Sequence, residues 1–465
     1  MQLNTAYQLE FEQMVRDFMV AYQAVGTAVA VVNKKGETIY RQFFGYRDQE
    51  KQLPLDENTI FGLASITKSF TALSIMQLVE KGILDLYAPV NRYLPDFVYP
   101  NQNMPCLWHL LCHSAGYPPQ PRLLLSKIAP TLDLPEEERQ NLAYSPTIAK
   151  TGIKMLLKQL SEIKTFLGQP GENISYSNEG FAMLSEIIRL YGGENSYAEY
   201  VEKHILAPLG MSRSTYSFTK PLRDENANTL YAPTKKGMRV TRDWTDNQFM
   251  MMGGGSLKST LADLERYVAM WLNHGSYPNG RIISDTNIHE MQKQRQTYSH
   301  HVGYGFALQT FYLDDITVSG HGGSLTGVST NILWSYDLAM GVVVLCNTSG
   351  VPVANLAKAM MKWCNQHSPK EPVMVYRHRE WSKAEKQAAC GSFVSGEGSV
   401  LTVSLNAEDQ LQVLLDGEVL CLDTVLPDLA LVQTNLVKSE IRFLRRSDES
   451  VWAIGHGGRI LMRQA

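Results

Sequence analysis

Ser65 and Lys68 stand three residues apart in the stretch FGLASITKSF (61–70). On a helix this spacing puts both side chains on one face, with Cβ atoms roughly 5–6 Å apart. A hydroxyl and an ammonium held that close can exchange a proton once burial lowers the lysine pKa. At a helix N-terminus, free backbone N–H groups also favour a developing oxyanion. The pair could form an acylatable nucleophile if the rest of the chain supplies partners.

Short motifs also arise by chance. Ser-x-x-Lys recurs at Ser161–Lys164, Tyr-x-Asn occurs at Tyr99, Tyr176 and Tyr277, and His-x-Gly occurs at His301, His321 and His456. Context chooses among them. Ser161 lies in a lysine-rich helical stretch that reads as exposed. Ser65 precedes an apolar run, Phe70 to Val79, that reads as a buried helix ending at Gly82. Tyr99 and Tyr277 both sit in Tyr-Pro-Asn, a turn sequence. Tyr176 instead leads into the apolar run FAMLSEII. His301 precedes YGFAL and stays open as site or core, and His456 falls in a separate C-terminal region. His321 ends a strand and is followed by Gly322, Gly323 and Ser324, where backbone can approach a ligand.

The elements around these residues read as α+β. An amphipathic helix is expected over 8–22, then a hairpin of 27–33 and 38–44 joined by KKGE. The middle, about 107–210, reads as helical and loop-rich. Its proline-broken excursion 119–150 is either a flap over the site or a surface loop. Strands are expected at 317–321, 329–336 and 340–347, with a helix at 353–365, so early and late strands should share one sheet. A catalytic domain over 1–368, a linker at about 369–379 and a small all-β barrel or sandwich over 380–465 are expected. In the last, short strands alternate with turns such as Asp416-Gly417.

With 465 residues, a single ordinary core is too small for the chain. A net charge of -3 gives no reason to expect a nucleic-acid partner. No apolar run reaches the roughly 20 residues of a membrane span. The six cysteines show no metal-ligand spacing, so no metal or cofactor is expected, and the thiols read as reduced. With no signal peptide evident, a cytoplasmic location is expected, a trimmed secreted form being the alternative.

In order, Ser65-Ile-Thr-Lys68, Tyr176-Ser-Asn178 and His321-Gly-Gly323 resemble the three motifs of the penicillin-recognising serine hydrolases. The Tyr-x-Asn form points to the class C β-lactamase-like branch, with its D-aminopeptidases, penicillin-binding proteins and esterases. LWHLLCHSAGYP (107–118), ILAPLGMS (205–212) and GGGSLKSTLADLERYV (253–268) agree, over about residues 10–365. The resemblance implies a β-lactamase/transpeptidase-like domain, an antiparallel sheet with an all-helical region. It also implies a lipocalin-like C-terminal barrel, which either stabilises the protein or walls the site.

The implied roles are Ser65 as nucleophile and Lys68 with Tyr176 as general base and acid. Asn178, His321, Gly322, Gly323 and Ser324 would bind substrate, with the Ser65 and Ser324 N–H groups as oxyanion hole. Where lactamases usually carry Lys-Thr-Gly, this chain has a histidine, mostly neutral at pH 7. Weak β-lactam turnover is therefore expected, on a substrate that does not need that fixed cation. The expected activity is hydrolysis of small amides or peptides, D-residues included. The alternatives are an esterase, a weak β-lactamase, or a penicillin sensor that acylates without turnover. The partner is a small molecule or short peptide, and a homo-oligomer is left open.

Overall fold

A computed structural model describes residues 3–415 and 417–464. The turn expected at Asp416-Gly417 therefore has its first residue outside the described residues.

The expected joining of chain ends occurs at the centre of a nine-stranded sheet. Strand Gly26–Asn33 pairs antiparallel with Thr38–Asp48 on one side and with Met340–Cys346 on the other, Thr27 lying opposite Cys346. Beyond Met340–Cys346 lie Val328–Ser335 and then Ile316–Leu325, followed by three shorter strands. Central strands are apolar on both faces because both are covered. Along Gly26–Asn33, Ala28, Ala30 and Val32 join the large core on the helical side. Val29 and Val31 join the core under the terminal helices Thr5–Ala21 and Val353–Cys364. The helical side holds Thr67–Glu80, Asn178–Tyr191 and Leu261–Leu272.

Helix Thr67–Glu80 is buried at every residue from Thr67 to Met76, as a run apolar around its circumference must be. It is followed by Gly82 at φ +71, in the left-handed region where glycine ends helices. The 119–150 excursion forms short helices, Leu125–Ile128 and Glu136–Gln140, before the longer Pro146–Ser161.

No helix or strand occupies 365–382. After it, helix Lys383–Ala389 starts on a capping box, Ser382 with Glu385, and leads into a closed eight-stranded antiparallel barrel. Between the barrel and sandwich alternatives, the strands close: Gly391–Val394 pairs with both Val400–Leu405 and the last strand, Arg459–Arg463. Among the described residues, no helix is long and apolar enough to cross a membrane.

Candidate active site

Ser65 sits at a junction built to expose it. The short strand Phe61–Gly62 pairs with Lys258–Ser259, and the chain then turns through Ala64 at φ +47. A non-glycine residue in that left-handed region is strained, and such strain collects where a side chain must be presented. A single 3₁₀ turn, Ala64–Ile66, runs into helix Thr67–Glu80. Its neighbours on both sides are buried, whereas Ser65 is partly exposed.

Lys68 is fully buried one turn along. Its Nζ lies 3.2 Å from Ser65 Oγ, 2.9 Å from Asn178 Oδ1 and 2.6 Å from the Gly254 carbonyl. Burial, then the charge of Arg459, push its pKa well below the usual lysine range. The three partners suit both protonation states. A neutral amine donates to the two carbonyl oxygens and turns its lone pair to the Ser65 hydroxyl; an ammonium donates to all three.

Asn178 opens helix Asn178–Tyr191, whose N-cap Ser177 accepts from the Gly180 N–H at 3.1 Å. Tyr176, two residues earlier, packs its ring 4.1 Å from the His113 ring and 4.8 Å from Lys68 Nζ. Burial raises its pKa, and Ser65 and Arg459 oppose that rise. Its buried hydroxyl has no fully formed hydrogen bond, so it is free to meet a ligand.

His321 is buried, and both of its ring nitrogens are engaged within the protein. Nε2 faces Tyr304 Oη at 2.9 Å and Nδ1 faces the Gly322 carbonyl at 2.5 Å. Tyr304 Oη also meets His113 Nε2 at 3.0 Å, and His113 Nδ1 accepts from the Ser177 N–H at 3.0 Å. One proton order satisfies this chain. Because His113 Nδ1 must accept, its Nε2–H donates to Tyr304. The tyrosine then donates to His321 Nε2, and His321 Nδ1–H donates to Gly322. Both imidazoles are thereby neutral, and burial holds His321 down at about 3, with the Lys68 charge adding to it.

Gly323 lies against the Ser65 turn. A Cβ there would come 2.3 Å from the Leu63 carbonyl and 2.9 Å from the Ser65 nitrogen. Thr330 Oγ1 holds the same Leu63 carbonyl at 2.9 Å. Ser324, next in this strand, is exposed to a cavity of about 600 Å³ that Ser65, Tyr176, Asn178, His321, Gly322 and Gly323 also line. Seven of the eight residues singled out in the sequence thus line one cavity, and the eighth, Lys68, is buried behind Ser65 with its Nζ 3.2 Å from Ser65 Oγ.

The competing motifs lie elsewhere, with one exception. Ser161 is exposed and its hydroxyl donates to the Lys158 carbonyl. The Tyr99 hydroxyl donates to the Ala115 carbonyl at 2.7 Å in the core, and His301 is exposed. The exception is His456-Gly457-Gly458. This barrel hairpin reaches the site, where the Gly458 carbonyl accepts from the Tyr176 N–H at 2.8 Å. The next residue, Arg459, lines the cavity with its guanidinium carbon 5.1 Å from the Tyr176 ring centroid. Its Nε lies 2.6 Å from Glu397, which is also 3.6 Å from Arg122. Two guanidinium groups against one carboxylate leave one net positive charge at this wall. A neutral His321 therefore does not leave the cavity without a cation. His113, Tyr304 and Arg459 are the residues that sequence reasoning missed. His113 lies within HSAGYP and Tyr304 within YGFAL, both noted as phrases but given no role.

A family profile described as Beta-lactamase matches residues 11–362. Penicillin-binding protein 4* of Bacillus subtilis is 27% identical over 350 residues, covering 70% of this chain and 68% of the relative. A D-aminopeptidase of Gluconobacter oxydans is 25% identical over 382 residues, covering 80% and 66%. The chain thus spans about two thirds of the length of these relatives. Among solved structures, the octameric penicillin-binding protein homologue from Pyrococcus abyssi matches with TM-score 0.69 and 25% identity, covering 97% of this chain and 99% of that one.

Proposed function

The chain belongs to the Beta-lactamase family of serine hydrolases, and from that premise we propose that it hydrolyses short peptides or small amides, D-residues included, through an acyl-enzyme on Ser65. The observation that carries this reading is the buried Lys68 Nζ, 3.2 Å from Ser65 Oγ and depressed towards its neutral form. In the proposed cycle Ser65 Oγ attacks the carbonyl carbon as its proton passes to Lys68. The Ser65 and Ser324 N–H groups receive the oxyanion, where losing one donor typically costs about 3–4 kcal/mol. Tyr176, neutral in its buried setting, gives the leaving nitrogen its proton and is restored from the Lys68 ammonium. Water then attacks the ester carbonyl, Lys68 taking its proton and returning it to Ser65 Oγ as the acyl C–O bond breaks, which frees the acid product and restores neutral Lys68.

The Arg459 guanidinium supports a substrate that carries a carboxylate, as a short peptide does, since His321 in the same cavity is neutral with both ring nitrogens already hydrogen-bonded and so offers no charge of its own. The Gluconobacter relative, a D-aminopeptidase, supports peptide chemistry. The octameric Pyrococcus homologue supports a homo-oligomer, which light scattering on the purified chain would measure.

The test is a panel of D- and L-aminoacyl anilides, short peptides with free or amidated C-termini, p-nitrophenyl esters and a chromogenic cephalosporin. Free-acid peptides with D-residues should turn over fastest. Hydrolysis of the esters alone would make the protein an esterase, and stoichiometric labelling by a fluorescent penicillin without release would make it a binding protein.

A further inference from the structure

We propose that His274, Asp285 and His289 form a binding site for one zinc-class divalent cation, remote in sequence from the Ser65 machinery. Two elements supply the ligands. Asp285 and His289 stand one turn apart on helix Asp285–Gln292, and His274 follows helix Leu261–Leu272. One donor atom from each lies within 4.8 Å of the other two. His274 Nδ1 is 3.1 Å and His289 Nε2 is 3.3 Å from the same oxygen, Asp285 Oδ1.

His274 is held in place without any ion. Its backbone adopts φ +51, with its N–H donated to the Trp271 carbonyl at 3.0 Å. Its ring stacks on Tyr336, centroids 4.3 Å apart and planes 10° from parallel. The Tyr336 hydroxyl is in turn bonded to Gln292, the last residue of the helix that carries the other two ligands. In this fixed pose His274 Nδ1 is shielded from solvent yet makes no aligned hydrogen bond, although Asp285 is near. A shielded imidazole nitrogen without a hydrogen bond, facing a carboxylate and a second imidazole, is the environment a metal ion satisfies.

His378 offers the contrast. It also has two carboxylates, but Asp423 sits on its Nδ1 at 2.8 Å and Glu380 on its Nε2 at 3.1 Å. Each nitrogen there has its own hydrogen bond and no donor atoms converge. Asp285 alone could be read as an acidic residue favoured in a helix's first turn. That reading leaves the two histidines unexplained.

Two imidazoles and one carboxylate suit Zn²⁺ rather than Ca²⁺ or Mg²⁺, which prefer oxygen ligands, and leave a fourth position for water. Metal–ligand distances of about 2.0–2.1 Å require the ligands to close in. The exposed side chains of Asp285 and His289 can swing to do so, while His274 stays fixed. The bound ion would staple helix Asp285–Gln292 to the end of Leu261–Leu272.

Calorimetric titration of the full-length chain with ZnCl₂, after chelator treatment, tests this. One Zn²⁺ per chain at submillimolar or tighter affinity is expected, with Ca²⁺ and Mg²⁺ silent. His289→Gln and Asp285→Asn should each weaken binding roughly tenfold or more, since a ligand is lost outright. His378→Gln should change nothing. Zinc should raise the thermal midpoint of the wild type but not of His289→Gln, whose exposed position lets the fold persist, as circular dichroism would verify. Equal zinc affinity in the wild type and both ligand variants would place the ion elsewhere and overturn the proposal. So would no binding below millimolar zinc.

Discussion

The Tyr176 N–H donates to the Gly458 carbonyl across 2.8 Å, so a segment of the Ser65 site is hydrogen-bonded to the tip of a barrel hairpin. Two residues on, the Ile460 N–H donates to Ser175 Oγ at 3.2 Å, which doubles the attachment. The barrel is therefore a wall of the cavity, and it brings the Arg459 guanidinium with its Glu397 partner, beside which Arg122 leaves the net positive charge.

Arg459→Ala should act on substrate choice. Hydrogen bonds to charged groups are worth about 1.5–3 kcal/mol, so kcat/KM for free-acid peptides should fall about 10- to 100-fold. Amidated peptides and neutral esters should lose far less. Equal losses for free-acid and amidated substrates, measured side by side, would remove Arg459 from carboxylate binding.

The pH profile should follow Lys68. Its pKa is depressed by burial, so the amine that accepts the Ser65 proton is present at lower pH than for an ordinary lysine. Activity should rise with pH through that depressed value and then hold level. Tyr176, raised by burial, stays protonated well into the alkaline range. His321 titrates at about 3 and should add no step near neutrality. An initial-rate profile of kcat/KM that falls between neutral pH and pH 9 would contradict the pairing of a neutral amine with a neutral phenol.

Tyr304→Phe should destabilise the protein. It removes the hydroxyl between His113 Nε2 and His321 Nε2 and leaves two buried nitrogens without partners. At about 1–3 kcal/mol for each such group, a loss of about 2–6 kcal/mol is expected in urea unfolding. Nitrogen-15 NMR of the wild-type histidines should show His113 protonated at Nε2 and His321 at Nδ1. The opposite tautomers would refute the proton order.

Gly323→Ala should impair acyl transfer, because its Cβ would meet the Leu63 carbonyl at 2.3 Å and the Ser65 nitrogen at 2.9 Å. Relief requires the strand, which carries the proposed Ser324 donor, to move away from the Ser65 N–H, pulling the two proposed oxyanion donors apart. A loss of about 10²–10³ in kcat is expected from steady-state kinetics, comparable to removing one donor.

Much of the site was legible because it is local. Ser65 with Lys68 and Tyr176 with Asn178 are each set by one helix start, and His321 by one strand with its glycines. The sheet joining both chain ends was legible from apolar strand patterns. The partners of His321 were not legible, because Tyr304 and His113 meet it only through the packing of a strand against the turn after a short helix. The His456-Gly457-Gly458 triplet was set aside with the C-terminal region, and nothing in the linear pattern says that a barrel hairpin returns to Tyr176. Closure of the barrel fixes that, and closure depends on pairing between Gly391–Val394 and Arg459–Arg463. Helix Lys383–Ala389, which starts on the Ser382 and Glu385 capping box, was not read from the sequence, where 380–465 was expected to be all-β.

The central claim is that Ser65 is the acylated residue. Treatment with a fluorophosphonate, followed by peptide mapping in a mass spectrometer, should place a single adduct on Ser65 in the wild type. No adduct is expected in Ser65→Ala, and labelling should be slow in Lys68→Ala. An adduct on any other residue, or full hydrolytic activity in Ser65→Ala, would contradict it.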